Sequence, residues 1–237
     1  MDKRFKLGSK LNVVTNGYDP EDLAQVKGFD FGHRAILYTG RFYPPKRSIS
    51  PVMAALKHIK DCGGDSVGEW YFHYYGTDVN HVLEAARQFN VSDKLRFHGQ
   101  VPRSEVLSAV KGALAAVVVA SVFSETFPAD TGIVPAKIYE ALGLGTPVLL
   151  IAPYGSDVQT VAEAGGMAGC FEGLDIDGMA SFLLDLMQKG PLEARNPERY
   201  SWTAISRDLD RILRVAAGVP ARKSLELSLE HSAAPVE

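Results

Sequence analysis

With 237 residues, 46% of them hydrophobic and 22% charged, the chain has the length and composition of a globular domain. Its formal net charge of −3 argues against a nucleic-acid partner. Its longest apolar run, residues 113–123, is too short for an integral membrane segment, and it does not exclude peripheral association with a membrane. The two cysteines match no metal or redox spacing and residues 1–10 show no signal-peptide pattern, which indicates free thiols in a cytoplasmic protein.

Short apolar segments alternate with amphipathic segments along the chain. The apolar ones predict strands at residues 11–15, 35–39, 70–75, 95–98, 114–120 and 147–151. The amphipathic ones predict helices at residues 48–62, 80–90, 103–111, 135–142, 157–164 and 177–188. Most of the strands are apolar on both faces, as a parallel sheet covered by helices requires. The sequence therefore predicts an α/β fold with a Rossmann-like, doubly wound parallel sheet.

A last helix is predicted at residues 201–215, with Ser201 as its N-cap. Its apolar stripe consists of Trp202, Ile205, Leu209 and Ile212, and we expect Trp202 to pack on the domain's own sheet. Three regions follow from these patterns: a linker remnant at residues 1–10, a Rossmann-like domain at residues 11–215, and a flexible tail at residues 216–237.

Ligands of open parallel sheets bind beyond the carboxyl ends of the strands, where glycines recur in this sequence. Directly after the second predicted strand, Gly40 and Arg41 are followed by Lys46. Arginine offers a planar fork to phosphate and lysine a compact charge, so this pair predicts a diphosphate contact. Two solvated surface cations are the alternative reading.

The helix at residues 135–142 begins at a proline, which predicts free amides just before it at Gly132, Ile133 and Val134. Such amides form an anion site. Lys137 and Glu140 are three residues apart on this helix and share a face. Glu140 is a candidate ligand for ribose hydroxyls, and a local salt bridge with Lys137 is its alternative role.

Other chemistries lack a motif. The sequence contains no Gly-x-Gly-x-x-Gly, no P-loop, no His-Glu-x-x-His and no nucleophile elbow, and its six histidines are scattered. The Asp-x-Asp pairs at 175–177 and 208–210 are interpreted as structural, with Asp177 as a helix N-cap. No bound metal and no cofactor are predicted.

Six short motifs, in order, resemble the donor-binding C-terminal domain of GT-B glycosyltransferases of family 4, also called group 1. They are Asn16–Asp19, Ile36–Arg41 with Lys46, Leu95–Pro102, Val134–Glu140, Gly145–Leu149 and Tyr200–Trp202. The resemblance runs from about Leu11 to Leu213.

This resemblance implies a sugar-nucleotide substrate, linked through UDP or GDP, and transfer with retention of anomeric configuration. It implies that Arg41 and Lys46 contact the donor diphosphate, that Glu140 holds the ribose, and that His98, Gly99 and Val101 cradle the base. The first acid of the group's Glu-x7-Glu motif would fall at Gly132, which leaves sugar recognition unassigned. Asp130 or Glu125 could take the place of that acid, and Asp130 and Lys137 are candidate contacts to the donor sugar.

Catalytic residues are not assigned, because the group's acceptor-binding N-terminal domain has no counterpart in this sequence. We expect that domain to come from another segment or subunit, or the chain to form a homo-oligomer. A non-catalytic sugar-nucleotide-binding module and a GT-B-type epimerase are the rival hypotheses.

Overall fold

The computed structural model describes residues 8–62, 67–123, 131–190, 192 and 197–219. Residues 15–205 form one compact unit. Residues 8–14 and 206–219 belong to a second unit, which contains a short 3-10 turn at Gly8–Lys10 and the later part of the last helix. Asp130, Glu125 and most of the predicted tail lie outside the described residues.

Six parallel strands form one sheet in the order β3-β2-β1-β4-β5-β6. The strands are β1 Arg34–Thr39, β2 Trp70–Tyr75, β3 Leu95–Phe97, β4 Ala115–Val119, β5 Val148–Ile151 and β6 Ala168–Phe171. The order reverses between β1 and β4, which is the topological switch point of a doubly wound sheet. The predicted Rossmann-like α/β fold is confirmed.

Helices cover both faces of the sheet. They are α1 Pro20–Ala24, α2 Ser50–Cys62, α3 Val79–Gln88, α4 Arg103–Gly112, α5 Lys137–Leu144, α6 Asp157–Gly165, α7 Ile176–Lys189 and α8 Trp202–Ala217. One core joins α2, α3 and α7 to one face, and a second core joins α1, α4, α5 and α6 to the other. Within the described ranges, no helix has both the length and the apolar character needed to cross a bilayer.

Alternation along each strand divides the side chains between these two cores. In β1, Ile36 and Tyr38 enter the first core while Leu37 enters the second. In β5, Leu149 enters the first core and Leu150 enters the second. Because both faces are buried, the strands need the near-continuous apolar runs that the sequence shows.

Helix α5 is held close to the segment that precedes α1. A Cβ atom added to Gly143 would come within 2.7 Å of the Tyr18 ring and 2.8 Å of Leu23. Tyr18 also accepts the amide of Trp202 on its carbonyl and donates its own amide to Tyr200. This packing fixes α5, which carries Lys137 and Glu140.

Several predicted elements differ from the structure. Residues 11–15 form no strand, because this apolar segment has no ladder partner among the described residues. Strand β6 was not predicted: its sequence Ala-Gly-Cys-Phe has no β-branched residue, and its side chains are only half-buried. Helix α1 has five residues, too few to show a period. Cys62 and Cys170 are both free, as predicted.

Two helix starts differ from the prediction, and a third is capped as predicted. Helix α5 begins at Lys137, two residues after the predicted proline. The N-cap of α7 is Asp175, whose carboxylate accepts the Gly178 amide at 3.0 Å, and the predicted cap Asp177 lies inside the helix. Ser201 does cap α8, since its hydroxyl accepts the Ala204 amide, but Trp202 is 45% exposed and Ile205 is the residue that is buried.

Candidate functional site

The exit of β1 turns sharply at Gly40. This residue has a φ of 97°, and its amide donates to the Tyr75 carbonyl at the end of β2. The exposed Arg41 follows directly. Tyr43 and Arg47 then pair through two backbone hydrogen bonds, which close a turn that contains Lys46. Arg41 and Lys46 are therefore both held on the loop that leaves β1.

Lys137 reaches this loop from the first turn of α5. Its ammonium donates to the carbonyl of Thr39, the last residue of β1, and lies 3.9 Å from the centre of the Tyr38 ring. Burial, followed by the charge of Arg47, lowers the pKa of Lys137 to about 8. A Cβ added to Gly40 would lie 3.5 Å from the same nitrogen. Lys137 thus lies with the cations of the β1 exit.

The segment before α5 presents three consecutive amides. Those of Gly132, Ile133 and Val134 donate to no acceptor within the described residues. Thr131 accepts the amide of Asp157, which joins the segment to the start of α6. Free amides before a helix are suited to bind an anion, as the sequence predicts.

Glu140 forms an ion pair with Arg103 rather than with Lys137. The guanidinium of Arg103, at the start of α4, lies 2.9 Å from the Glu140 carboxylate and 3.0 Å from that of Asp22. The Glu140 and Arg103 side chains are 35% and 57% exposed. Their pair therefore faces solvent, and the predicted alternative of a Lys137–Glu140 salt bridge is wrong.

His98, Gly99 and Val101 follow β3 at the same edge of the sheet. Gly99 has a φ of 68°, and His98 stacks on Tyr75 with ring centres 4.1 Å apart. His98 and Val101 line a cleft of about 640 Å³ whose walls include aromatic rings. Further lining residues are Phe29, Phe31, His33, His73, Tyr75, Ser104 and Glu105.

Three histidines meet in this cleft, although they are scattered in the sequence. His73 on β2 shares a hydrogen bond of 2.9 Å with His33 and another with His98, and its ring stacks between theirs. Burial, followed by the charges of its neighbours, lowers the pKa of His73 to about 3. Burial also lowers the pKa of His98. Uncharged imidazoles can share these hydrogen bonds without repulsion.

Three charged residues of this edge were not predicted from the sequence. Arg47 approaches the Ala120 carbonyl and shifts the Lys137 pKa, and its position directly after Lys46 was the available signal. Arg103 reaches Glu140 only through the tertiary fold. Asp157 lies beside Gly132, where an added Cβ would be 3.7 Å from its carboxylate.

The two Asp-x-Asp pairs have structural partners. Asp175 caps α7 and Asp177 lies 3.2 Å from the His58 ring. On α8, Asp208 pairs with Arg211 and Asp210 with Arg214. These contacts agree with the structural interpretation made from the sequence.

Comparisons with known proteins identify the family of this chain. A model of the family "Glycosyl transferases group 1" matches residues 33–189. The phosphatidyl-myo-inositol mannosyltransferase of Mycolicibacterium smegmatis (strain ATCC 700084 / mc(2)155) is 27% identical over 229 residues, covering 90% of this chain and 54% of that protein. The chain thus spans about half the length of this relative.

Solved glycosyltransferases share the fold. AviGT4, which takes part in avilamycin A biosynthesis, has a TM-score of 0.58 at 18% identity, over 90% of this chain and 60% of its own. The pneumococcal O-GlcNAc transferase GtfA, solved with UDP and GlcNAc, has a TM-score of 0.56 at 15% identity, over 91% and 44%. The chain belongs to the group 1 glycosyltransferases, and its sheet has the Rossmann-like fold of a GT-B domain.

Proposed function

We propose that residues 15–205 form the donor-binding domain of a retaining glycosyltransferase that takes a nucleoside diphosphate sugar. One observation carries the proposal: Arg41 and the Lys137 ammonium lie at the exit of β1, beside three amides without an acceptor among the described residues. Cations and free amides at the switch point of a parallel sheet suit a diphosphate.

These groups also suit the chemistry of transfer. When the bond between sugar and phosphate breaks, negative charge grows on the departing diphosphate. Arg41, Lys46 and Lys137 stand at fixed positions of one edge, so they stabilise this charge without first having to be assembled. A metal ion held by the protein is not needed for this step, since the charges come from side chains.

The nucleoside would extend from the β1 exit toward β3. Glu140 offers a carboxylate to the ribose hydroxyls. Its exposed ion pair with Arg103 stabilises by at most about 1 kcal/mol, so replacing Arg103 by the ribose costs little free energy. The aromatic cleft at His98 and Val101 offers flat surfaces to a base. In this proposal the donor is linked through UDP or GDP, so the base is uracil or guanine.

The relatives support this substrate class. The solved complex of GtfA contains UDP, and the Mycolicibacterium relative is a mannosyltransferase. We propose that the acceptor is held by a second domain, by another subunit or by a second copy of this chain.

A binding titration of the purified chain with UDP, GDP, uridine and guanosine tests the proposal. A diphosphate at about 100 times its dissociation constant should raise the unfolding free energy by roughly 2.7 kcal/mol. Arg41→Ala and Lys46→Ala should weaken the diphosphate more than its nucleoside, because their charges address phosphate. Flat thermal shifts with both diphosphates would sink the proposal.

Glu140→Ala is the matching variant for the nucleoside end. We expect it to weaken diphosphate and nucleoside alike, by roughly 1.5–3 kcal/mol for a lost charged hydrogen bond. The control is Asp22→Ala, which removes the other carboxylate that contacts Arg103 and should leave binding unchanged. Equal affinities of Glu140→Ala and the wild type would show that Glu140 only pairs with Arg103.

A further inference from the structure

The carboxyl edge of the sheet has opposite charges at the exits of two of its strands, β1 and β5. Lys137 and Arg41 lie at the exit of β1, and the exposed Asp157 lies at the start of α6, directly after β5. Strands β1 and β5 are separated only by β4, so their exits are about 10 Å apart at the usual strand spacing. That separation is comparable to a diphosphate carrying one hexose.

The loop before α5 connects these two strand exits. At one end, Lys137 donates to Thr39 of β1; at the other, Thr131 accepts the amide of Asp157. Among the described residues, the nearest atom to a Cβ added at Gly132 is an Asp157 carboxylate oxygen, at 3.7 Å. No side chain of the described residues therefore separates the amides of this loop from Asp157 on the Gly132 side.

Asp157 has a carboxylate with no hydrogen bond and no ion pair to any described residue. The neighbouring Ser156 is 1% exposed, occupies the N-cap position of α6, and its hydroxyl makes no cap hydrogen bond and has no other partner within the described part of the chain. The Asp157 carboxylate and the Ser156 hydroxyl can therefore both accept hydrogen bonds that no described residue donates to them.

We infer that Asp157 contacts the hydroxyls of the donor sugar and contributes to its selection. A carboxylate repels phosphate, so the diphosphate belongs at the cationic exit of β1. The two oxygens of a carboxylate accept neighbouring O–H groups, which a hexose presents and a phosphate does not. This inference rests on the proposed function, and it orders the donor along the edge: nucleoside toward β3, diphosphate at β1, sugar at β5.

Isothermal titration with two pairs of ligands, UDP with UDP-glucose and GDP with GDP-mannose, tests the role of Asp157. We expect Asp157→Asn to weaken the sugar nucleotide about tenfold or more and to leave the matching diphosphate within about twofold. Glu163→Gln is the matched control: it neutralises another exposed acid of α6, one that contacts Gln159, and both affinities should stay at the wild-type values.

If Asp157→Asn weakens both ligands equally, or neither, the inference is overturned and Asp157 serves only the start of α6, while diphosphate binding still supports the proposed function. If the wild type binds neither UDP nor GDP, the proposed function fails and this inference fails with it.

Discussion

Lys137 has an unusual environment for a lysine. Its ammonium is largely withdrawn from water, close to Arg47, and its nearest partners are a carbonyl and an aromatic ring. These partners compensate only part of the lost hydration, so the pKa falls to about 8. Between about pH 8 and the ordinary 10.5, the folded chain holds fewer protons than the unfolded chain, so this group favours folding more as pH rises there.

The same titration predicts how UDP or GDP binding depends on pH. At pH 7 the Lys137 ammonium is charged and attracts the diphosphate; above about pH 8 it becomes neutral. The diphosphate itself gains no further charge above about pH 7. We expect the affinity to fall between pH 7.5 and 9.5, by at most about tenfold per pH unit above 8.

Lys137→Arg is the control for this pH dependence, since a guanidinium stays charged over the whole range. Isothermal titration at four pH values should show a nearly flat affinity for Lys137→Arg and a decline for the wild type. An equal decline in both proteins would assign the titration to another group.

At the scale of elements, the histidine cluster connects β2 to β3 and to the segment before β1. His73 is 3% exposed and lies between the rings of His33 and His98, with Phe31 against its edge. The charged groups facing the cluster include Arg96, which lowers the pKa of His73, and Glu105, which lines the same cleft. His73 is therefore neutral in the folded chain at any pH well above 3.

Acid should destabilise the fold through this cluster. Below its ordinary pKa of 6.5, His73 binds a proton in the unfolded chain but not in the folded one, so stability is lost as pH falls from about 6.5 toward 3. Between pH 7 and 5, His73 accounts for roughly 2 kcal/mol of that loss. Urea unfolding at the two pH values measures it.

His73→Phe keeps an aromatic ring between His33 and His98 and removes the titration. The comparison uses the difference between pH 7 and 5 within each protein, so a change in overall stability does not affect it. His58→Gln, at a partly exposed histidine that contacts Asp177, is the control and should retain the wild-type loss. A wild-type-sized loss in His73→Phe would contradict the assignment.

The helices and strands with a strong periodicity of apolar residues were predictable from the sequence. Strand β2 occupies the predicted residues, and helices such as α2 and α4 differ at an end by two residues or fewer. Strand β6 was missed because pairing with β5, rather than side-chain type, makes it a strand. Arg41 and Lys46 were found because they follow a strand in sequence and carry charges suited to phosphate. Arg103 comes to the edge from another βα unit, which a local pattern does not connect. Asp157 also follows a strand, but its position beside Gly132 depends on the tertiary fold.

For the whole molecule, the location of the charges matters more than their sum. A net charge of −3 gives no hint of a phosphate site, yet Arg41, Lys137 and Arg47 belong to one exit of one strand. The acidic residue nearest the other end of the loop, Asp157, gives this edge a direction. A sugar nucleotide is complementary to this order, because its anionic diphosphate suits the cations and its neutral sugar carries hydroxyl groups that a carboxylate can accept.

The same edge is open to solvent, which limits what residues 1–237 should do alone. Arg41, Gly132 and Asp157 are all exposed, so a bound donor would face water on the side away from the strands. Sugar transfer needs an oriented acceptor and the exclusion of competing water. We therefore predict that the purified chain binds its donor and hydrolyses it slowly, but forms no acceptor-dependent product.

The measurement is chromatography of released diphosphate and of glycosylated product, with and without an acceptor panel that includes phosphatidylinositol. Arg41→Ala serves as the control for contaminating hydrolases, because it should lower hydrolysis together with binding. Acceptor-dependent product formed faster than hydrolysis would mean that the chain itself holds the acceptor, and the proposal of a second domain, subunit or copy would have to be withdrawn.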